Sequence, residues 1–184
     1  NAGYQCGGWT QGWTGKSGSI AGATTIQAGF DEVASGSRVY CADEADVIVY
    51  VIGEVPYAEW LGDFRSGDFN DKFITSAAYE GPQFGSTSQY LTQINNWKLE
   101  GKKVAVVLIT GRPLPITSLI EASDAFVVAW LPGSEGAGVA DVLFGDVKPT
   151  GKLPHTWPKD ATQIPINEGD GKEGLYPYGY GLTY

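Results

Sequence analysis

Three stretches of the chain carry apolar residues almost without interruption: Asp46 to Gly53 (DVIVYVIG), Val104 to Thr110 (VAVVLIT) and Ala125 to Leu131 (AFVVAWL). β-Branched runs of this length predict strands buried on both faces of a parallel sheet. Around them, apolar positions recur at helical spacing. Thr24-Thr25 precede Ile26, Phe30 and Val33, and Gly36 closes that run, the pattern of a first helix. Ser86 to Leu99 sets Tyr90, Leu91, Ile94 and Trp97 on one face, while Pro115 to Ala122 and Ser134 to Phe144 follow the second and third strands. Strands that alternate with helices imply right-handed crossovers, and so a three-layer α/β sandwich: a doubly wound, mainly parallel sheet in a single domain.

Two regions depart from this rhythm. Residues 1–23 are rich in Gly, Ser, Thr and Trp with no sustained period, which predicts an extended segment lying on the surface. Residues 64–85 are polar and contain Gly67, Gly81, Pro82 and Gly85. A loop this long is either a functional rim or a plain surface excursion. Open parallel sheets bind ligands beyond the carboxyl ends of their strands, which here are Glu54 to Asp63, Gly111 to Pro113 and Pro132 to Gly136.

Composition narrows the classes of function. The 184 residues suit one domain with a sizeable core. A hydrophobic share of 42% is that of a chain that folds. The net charge of −9 would repel phosphates, which argues against nucleic acid and anionic membrane as partners and leaves a neutral ligand such as a sugar unaffected. No apolar run approaches the roughly 20 residues that span a bilayer. The abrupt opening at Asn1-Ala2-Gly3-Tyr4, without an apolar leader, reads as a segment of a longer polypeptide. Cys6 and Cys41 lack metal-ligand spacing and read as two separate buried thiols.

Long and unusual motifs occupy both ends of the chain. Ala129 to Pro158 reads AWLPGSEGAGVADVLFGDVKPTGKLPHTWP, and Leu175 to Tyr184 reads LYPYGYGLTY. Near the start are Gly3 to Thr10 (GYQCGGWT) and Gly53 to Glu59 (GEVPYAE). Together these resemble the α/β domain of glycoside hydrolase family 3 β-glucosidases and β-glucan exohydrolases, whose fold is a flavodoxin-like α/β sandwich. Only about residues 64–100 match no pattern of that family. The glycines at 133 and 136 suit a tight strand-to-helix turn. There Glu135 reads as an acceptor for the helix start more readily than as a catalyst, and Gly133 to Gly138 lacks the lysine of a phosphate loop. Tyr176, Tyr178 and Tyr180 read as a packed C-terminal clamp, and His155 as structural within a Leu-Pro-x-Thr-Trp strand.

The resemblance implies a chemistry. Glycoside hydrolysis uses two carboxyl groups across the scissile bond, one protonated and one ionised. In this family the nucleophilic aspartate belongs to a separate (β/α)8 barrel, absent here, and the acid/base glutamate to the α/β domain. It is carried over to Glu59, in Glu59-Trp60-Leu61-Gly62-Asp63, with Glu54 as the rival at the strand end. Trp9 is the expected sugar platform. Tyr57 and Trp60 would wall the site, and Arg65 with Asp63 would line its mouth. The expected partners are β-glucosides or β-gluco-oligosaccharides and the barrel, with no cofactor and no metal, in a parent that is secreted or periplasmic. Two other classes stay open: a sugar-binding or interaction module without catalysis, and a nucleotide- or flavin-binding domain of the same fold.

Overall fold

The computed structural model describes residues 2–8, 10, 12, 13, 15, 16, 18–54, 56 and 87–184. Among them, strands β1 (Val47–Gly53), β2 (Lys103–Ile109) and β3 (Ala125–Trp130) form a parallel sheet in the order β1-β2-β3. Val47 lies opposite Lys103 and Gly53 opposite Ile109. Between β2 and β3 the register shifts after Leu108, so that Ile109 faces Trp130. All three apolar runs found in the sequence are therefore strands, displaced by a residue or so at their ends.

Helices α1 (Ala2–Cys6), α2 (Ile26–Val33), α3 (Thr87–Leu99), α4 (Thr117–Ala122) and α5 (Gly136–Phe144), with short 3-10 turns at Ala42–Glu44 and Ala161–Gln163, complete the described elements. Successive side chains of a strand point to opposite faces, and β2 shows the consequence. Val104, Val106 and Leu108 join Ile94 of α3 and Leu119 of α4 in one buried cluster. Val107 and Ile109 join Ile26 and Phe30 of α2 and Val139 of α5 in another. The sheet thus has a helical layer on each side, as the alternation predicts. Contact between α2 and α5 is close: a Cβ on Gly29 would lie 2.6 Å from the Cα of Ala137.

Burial on both faces holds for β2 and not for its neighbours. Ile48, Tyr50 and Ile52 of β1 pack against the α3 side, with the Tyr50 ring 5.6 Å from Tyr90 and 5.0 Å from Trp97 in edge contacts. Val47, Val49 and Val51 are 58%, 37% and 40% exposed. A central strand is covered twice because it has partners on both edges and helices on both faces; β1 has β2 on one edge only among the described strands.

The N-terminal segment also differs from the expected extended form, since Ala2 to Cys6 is helical and Gln5 and Cys6 are buried. Five residues are too few for a helix to persist on propensity alone, so no period marks it in the sequence; tertiary hydrogen bonds hold it instead. Of the two thiols expected to be buried, Cys6 is and Cys41 is exposed. At the other end, Trp157 and Tyr176 form a single antiparallel bridge, and the indole N–H of Trp157 donates to Leu114 O. Tyr176 stacks on Tyr180 with ring centroids 4.5 Å apart, but Tyr178 and Tyr180 are both exposed, so of the three tyrosines only Tyr176 is partly buried. Burial, and then the neighbouring Tyr180, push the Tyr176 hydroxyl up from its ordinary value. His155 is exposed in a bend rather than a strand. The stretch 64–85 lies outside the described residues.

Candidate functional site

The carboxyl ends of the strands are joined by polar groups. Glu54 follows β1 directly, is 5% exposed, and its backbone N–H donates to Ile109 O at 3.0 Å. Its carboxylate accepts from Arg112 Nε at 3.0 Å to Oε1 and 3.3 Å to Oε2, from Arg112 Nη2, and from the Thr110 hydroxyl at 2.6 Å. A guanidinium and a hydroxyl that both donate to a carboxylate stabilise its charged form. A general acid must instead hold its proton until the bond breaks. Arg112 and Thr110 were not singled out by residue in the sequence, although Gly111 to Pro113 fell at the predicted ligand edge.

The same edge receives the N-terminal segment. Gln5 is 1% exposed. Its Oε1 accepts from Ile26 N at 2.9 Å, and its Nε2 donates to Thr24 O at 3.0 Å and Gly133 O at 3.2 Å. Gly133 N returns a bond to Gln5 O at 2.9 Å. The chain then passes tightly over the loop after β3 and the residue that follows Glu54 by two. A Cβ on Gly7 would meet Leu131 Cδ1 at 2.7 Å, and one on Gly15 would meet Pro56 Cβ at 2.3 Å and Gly7 O at 2.8 Å. Gly7 and Gly15 have φ of 68° and 83°, in the left-handed region that favours glycine. Thr10 is tethered by its hydroxyl to Cys6 O at 2.9 Å. Residues far apart in sequence, Gln5, Gly7 and Gly15 near the start, Pro56 after β1, and Leu131 and Gly133 after β3, therefore meet at one end of the sheet.

The turn before α5 is occupied by packing. Thr24 N donates to Ser134 O at 2.8 Å and Gly136 N to Thr24 O at 3.0 Å, and a Cβ on Gly136 would lie 2.4 Å from Ile26 N. Glu135 does not cap α5 with its side chain as expected; its Oε1 accepts from the Ser134 hydroxyl at 2.8 Å. No phosphate cradle is left there. Among the described residues no three of His, Cys, Asp and Glu gather as a metal site would require, and no helix is long and apolar enough to cross a membrane.

The profile described as "Glycosyl hydrolase family 3 C-terminal domain" matches residues 1–184. The chain belongs to that family. An exo-1,3/1,4-β-glucanase from a Pseudoalteromonas species is 36% identical and superposes with a TM-score of 0.78, covering 100% of this chain and 23% of its own. A periplasmic β-glucosidase of Salmonella typhimurium is 36% identical over 169 residues, 79% of this chain and 20% of the relative. A xylan 1,4-β-xylosidase of Xylanibacter ruminicola is 42% identical over 97 residues, 47% of this chain and 11% of the relative. The chain thus spans a fifth or less of the length of these curated relatives.

Within this family 3 C-terminal domain, the residues carried over from the resemblance divide unevenly. Glu54 is described and is engaged as above. Glu59, Trp9, Tyr57, Trp60 and Arg65, together with Asp63, lie outside the described residues. Gly8 and Thr10, which flank Trp9, and Pro56, which precedes Tyr57, are on the shared edge. Gln5, Gly15, Thr110 and Arg112 are the site-edge residues that sequence reasoning missed. The only signal for Gln5 was its place inside GYQCGGWT; a buried amide that bridges remote segments leaves no periodic trace.

Proposed function

We propose that this domain is the second half of a retaining, exo-acting β-glucosidase or β-glucan glucohydrolase, in which it supplies the general acid/base and a stacking tryptophan to an active site shared with a (β/α)8 barrel. The observation that carries the reading is the close approach of Gly7 and Gly15, which lie on either side of Trp9 in the sequence, to Leu131 and to Pro56, three residues before Glu59 in the sequence, at the carboxyl edge of the sheet. Membership of the family and the likeness to an exo-1,3/1,4-β-glucanase over the whole chain support the same assignment.

In this scheme an aspartate of the barrel attacks the anomeric carbon while Glu59 gives its proton to the glycosidic oxygen, and the leaving alcohol departs. Glu59, now a carboxylate, takes a proton from water as that water attacks the glycosyl-aspartate, releasing the sugar with its configuration retained. Retention calls for the two carboxyl groups to stand about 5 Å apart. An apolar wall from Tyr57 and Trp60, and the charge of the aspartate, would keep the proton on Glu59 until it is needed. Trp9 offers a flat indole face to the second sugar ring, and Arg65 lines the mouth. The domain alone, holding one carboxyl group of the pair, has no turnover. A parent that is secreted or periplasmic agrees with the relative named as periplasmic, and no cofactor is called for.

Glu59→Gln in the full-length parent tests the assignment. It should abolish hydrolysis of glucosides with poor leaving groups, while activated aryl glucosides, whose departure needs no proton, keep their kcat/KM and give a burst of released phenol even though the second step, now without its base, slows steady turnover. Should Glu54→Gln show that signature and Glu59→Gln not, Glu54 is the acid/base. For the platform, Trp9→Ala should raise KM for a disaccharide far more than for an aryl monoglucoside; equal effects on both would remove Trp9 from the second sugar site.

A further inference from the structure

The proposed chemistry leaves unused a buried glutamate that ends β1. Glu54 and Arg112 form an ion pair with both partners largely withdrawn from water. Stability alone does not account for such a pair, because two apolar side chains of similar volume would serve as well or better. What a carboxylate and a planar guanidinium supply is direction, through paired hydrogen bonds with fixed geometry.

Thr110 completes the arrangement. Its hydroxyl donates to Glu54 Oε2 at 2.6 Å and accepts from Arg112 N at 3.2 Å. Its backbone N–H donates to Trp130 O at 3.2 Å. Trp130 has φ of 54°, a left-handed conformation that is an outlier for a bulky residue and persists where surrounding structure fixes it. It stands where the register between β2 and β3 shifts. One threonine therefore ties together the carboxyl ends of β1, β2 and β3, and its hydroxyl bond falls on Glu54, five residues before Glu59 in the sequence.

We infer that Glu54, Thr110 and Arg112 are positioning residues: a latch that sets where the loop after β1 leaves the sheet, and so governs proton transfer by the acid/base without touching the sugar. This rests on Glu59 being the acid/base. The latch residues act on kcat and on the pH profile through Glu59, since a small displacement of a proton donor weakens transfer more than it weakens substrate binding.

The test uses the full-length parent enzyme with Thr110→Val, Thr110→Ser and Arg112→Lys beside Glu59→Gln. Thr110→Val keeps the shape and removes the hydroxyl. It should lower kcat on a disaccharide about tenfold, change KM less than about twofold, and displace the alkaline limb of kcat/KM, while Thr110→Ser recovers most of the loss. Arg112→Lys, which keeps the charge and loses the fork, should follow Thr110→Val, and it decides the matter if Thr110→Val does not fold. Variants that lower the melting temperature yet keep the parent's kcat, leaving-group dependence and alkaline limb would overturn the latch and leave the acid/base reading standing. A Glu59→Gln enzyme still fully active on the disaccharide would overturn both.

Discussion

Replacing Gln5 by Leu removes one buried amide of nearly the same length, and its effect follows from the bonds it makes. Ile26 N, the first N–H of α2, loses its acceptor at 2.9 Å, and Gly133 O loses a donor at 3.2 Å. Thr24 O keeps the bond from Gly136 N. An N–H left buried without a partner costs about 1–3 kcal/mol, and each further exchanged bond about 1 kcal/mol, so the expected loss is about 3 kcal/mol. For a domain of this size each kcal/mol lowers the melting temperature by about 2–4 °C, which gives a drop of roughly 6–12 °C. Urea unfolding of the 184-residue chain, followed by tryptophan fluorescence, reads the change as a lower midpoint at an unaltered slope. Gln5→Glu should be at least as damaging, because its carboxylate would face the carbonyls of Thr24 and Gly133. A Gln5→Leu chain whose stability falls by less than about 1 kcal/mol would refute the reasoning, since desolvation of the orphaned N–H alone should exceed that.

Two other perturbations have a sign set by the structure. Gly29→Ala would raise the intrinsic helix propensity of α2 by roughly 1 kcal/mol, yet its Cβ would lie 2.6 Å from Ala137 Cα. The clash should win, destabilising the chain by about 1–3 kcal/mol in the same unfolding assay. Asp124 accepts from Val104 N at 2.9 Å, and that bond, followed by Lys103 and Lys98, holds its carboxyl below the usual carboxylate range. Because the folded state favours the ionised form, the stability it contributes is present above the ordinary carboxylate value and is lost as pH falls through the lowered one. Asp124→Asn should therefore reduce stability at neutral pH, with the difference narrowing in acid; a difference constant from neutral pH to below about pH 4 would contradict this.

The sheet was legible because continuous β-branched runs mean strands wherever they fall, and helical spacing marked α2, α3, α4 and α5 nearly to the residue. What a single run does not reveal is its place in the sheet. Val47, Val49 and Val51 read like Val106 and Val107, and only the order β1-β2-β3 exposes the first set. The five-residue α1 had no period to show and is held by Gln5 through bonds to residues 19 to 128 positions away. Motifs at 3–10 and 53–59 pointed to an active site from resemblance, while the structure brings the flanks of those motifs together through Gly7, Gly15, Pro56 and Leu131. The Glu54 latch was half legible: the strand-end glutamate was visible, but its partners lie 56 and 58 residues on, and ion pairs across strands leave no local pattern.

Anion rescue of Glu59→Ala in the full-length parent addresses the shared active site most directly. With an activated aryl glucoside the first step needs no proton, so the glycosyl-aspartate should accumulate, and azide, a small anion that attacks without base assistance, should restore turnover and yield the β-glucosyl azide. Unchanged turnover with azide, no azide product, or a product of inverted configuration would contradict the assignment of Glu59 as the acid/base of a retaining pair.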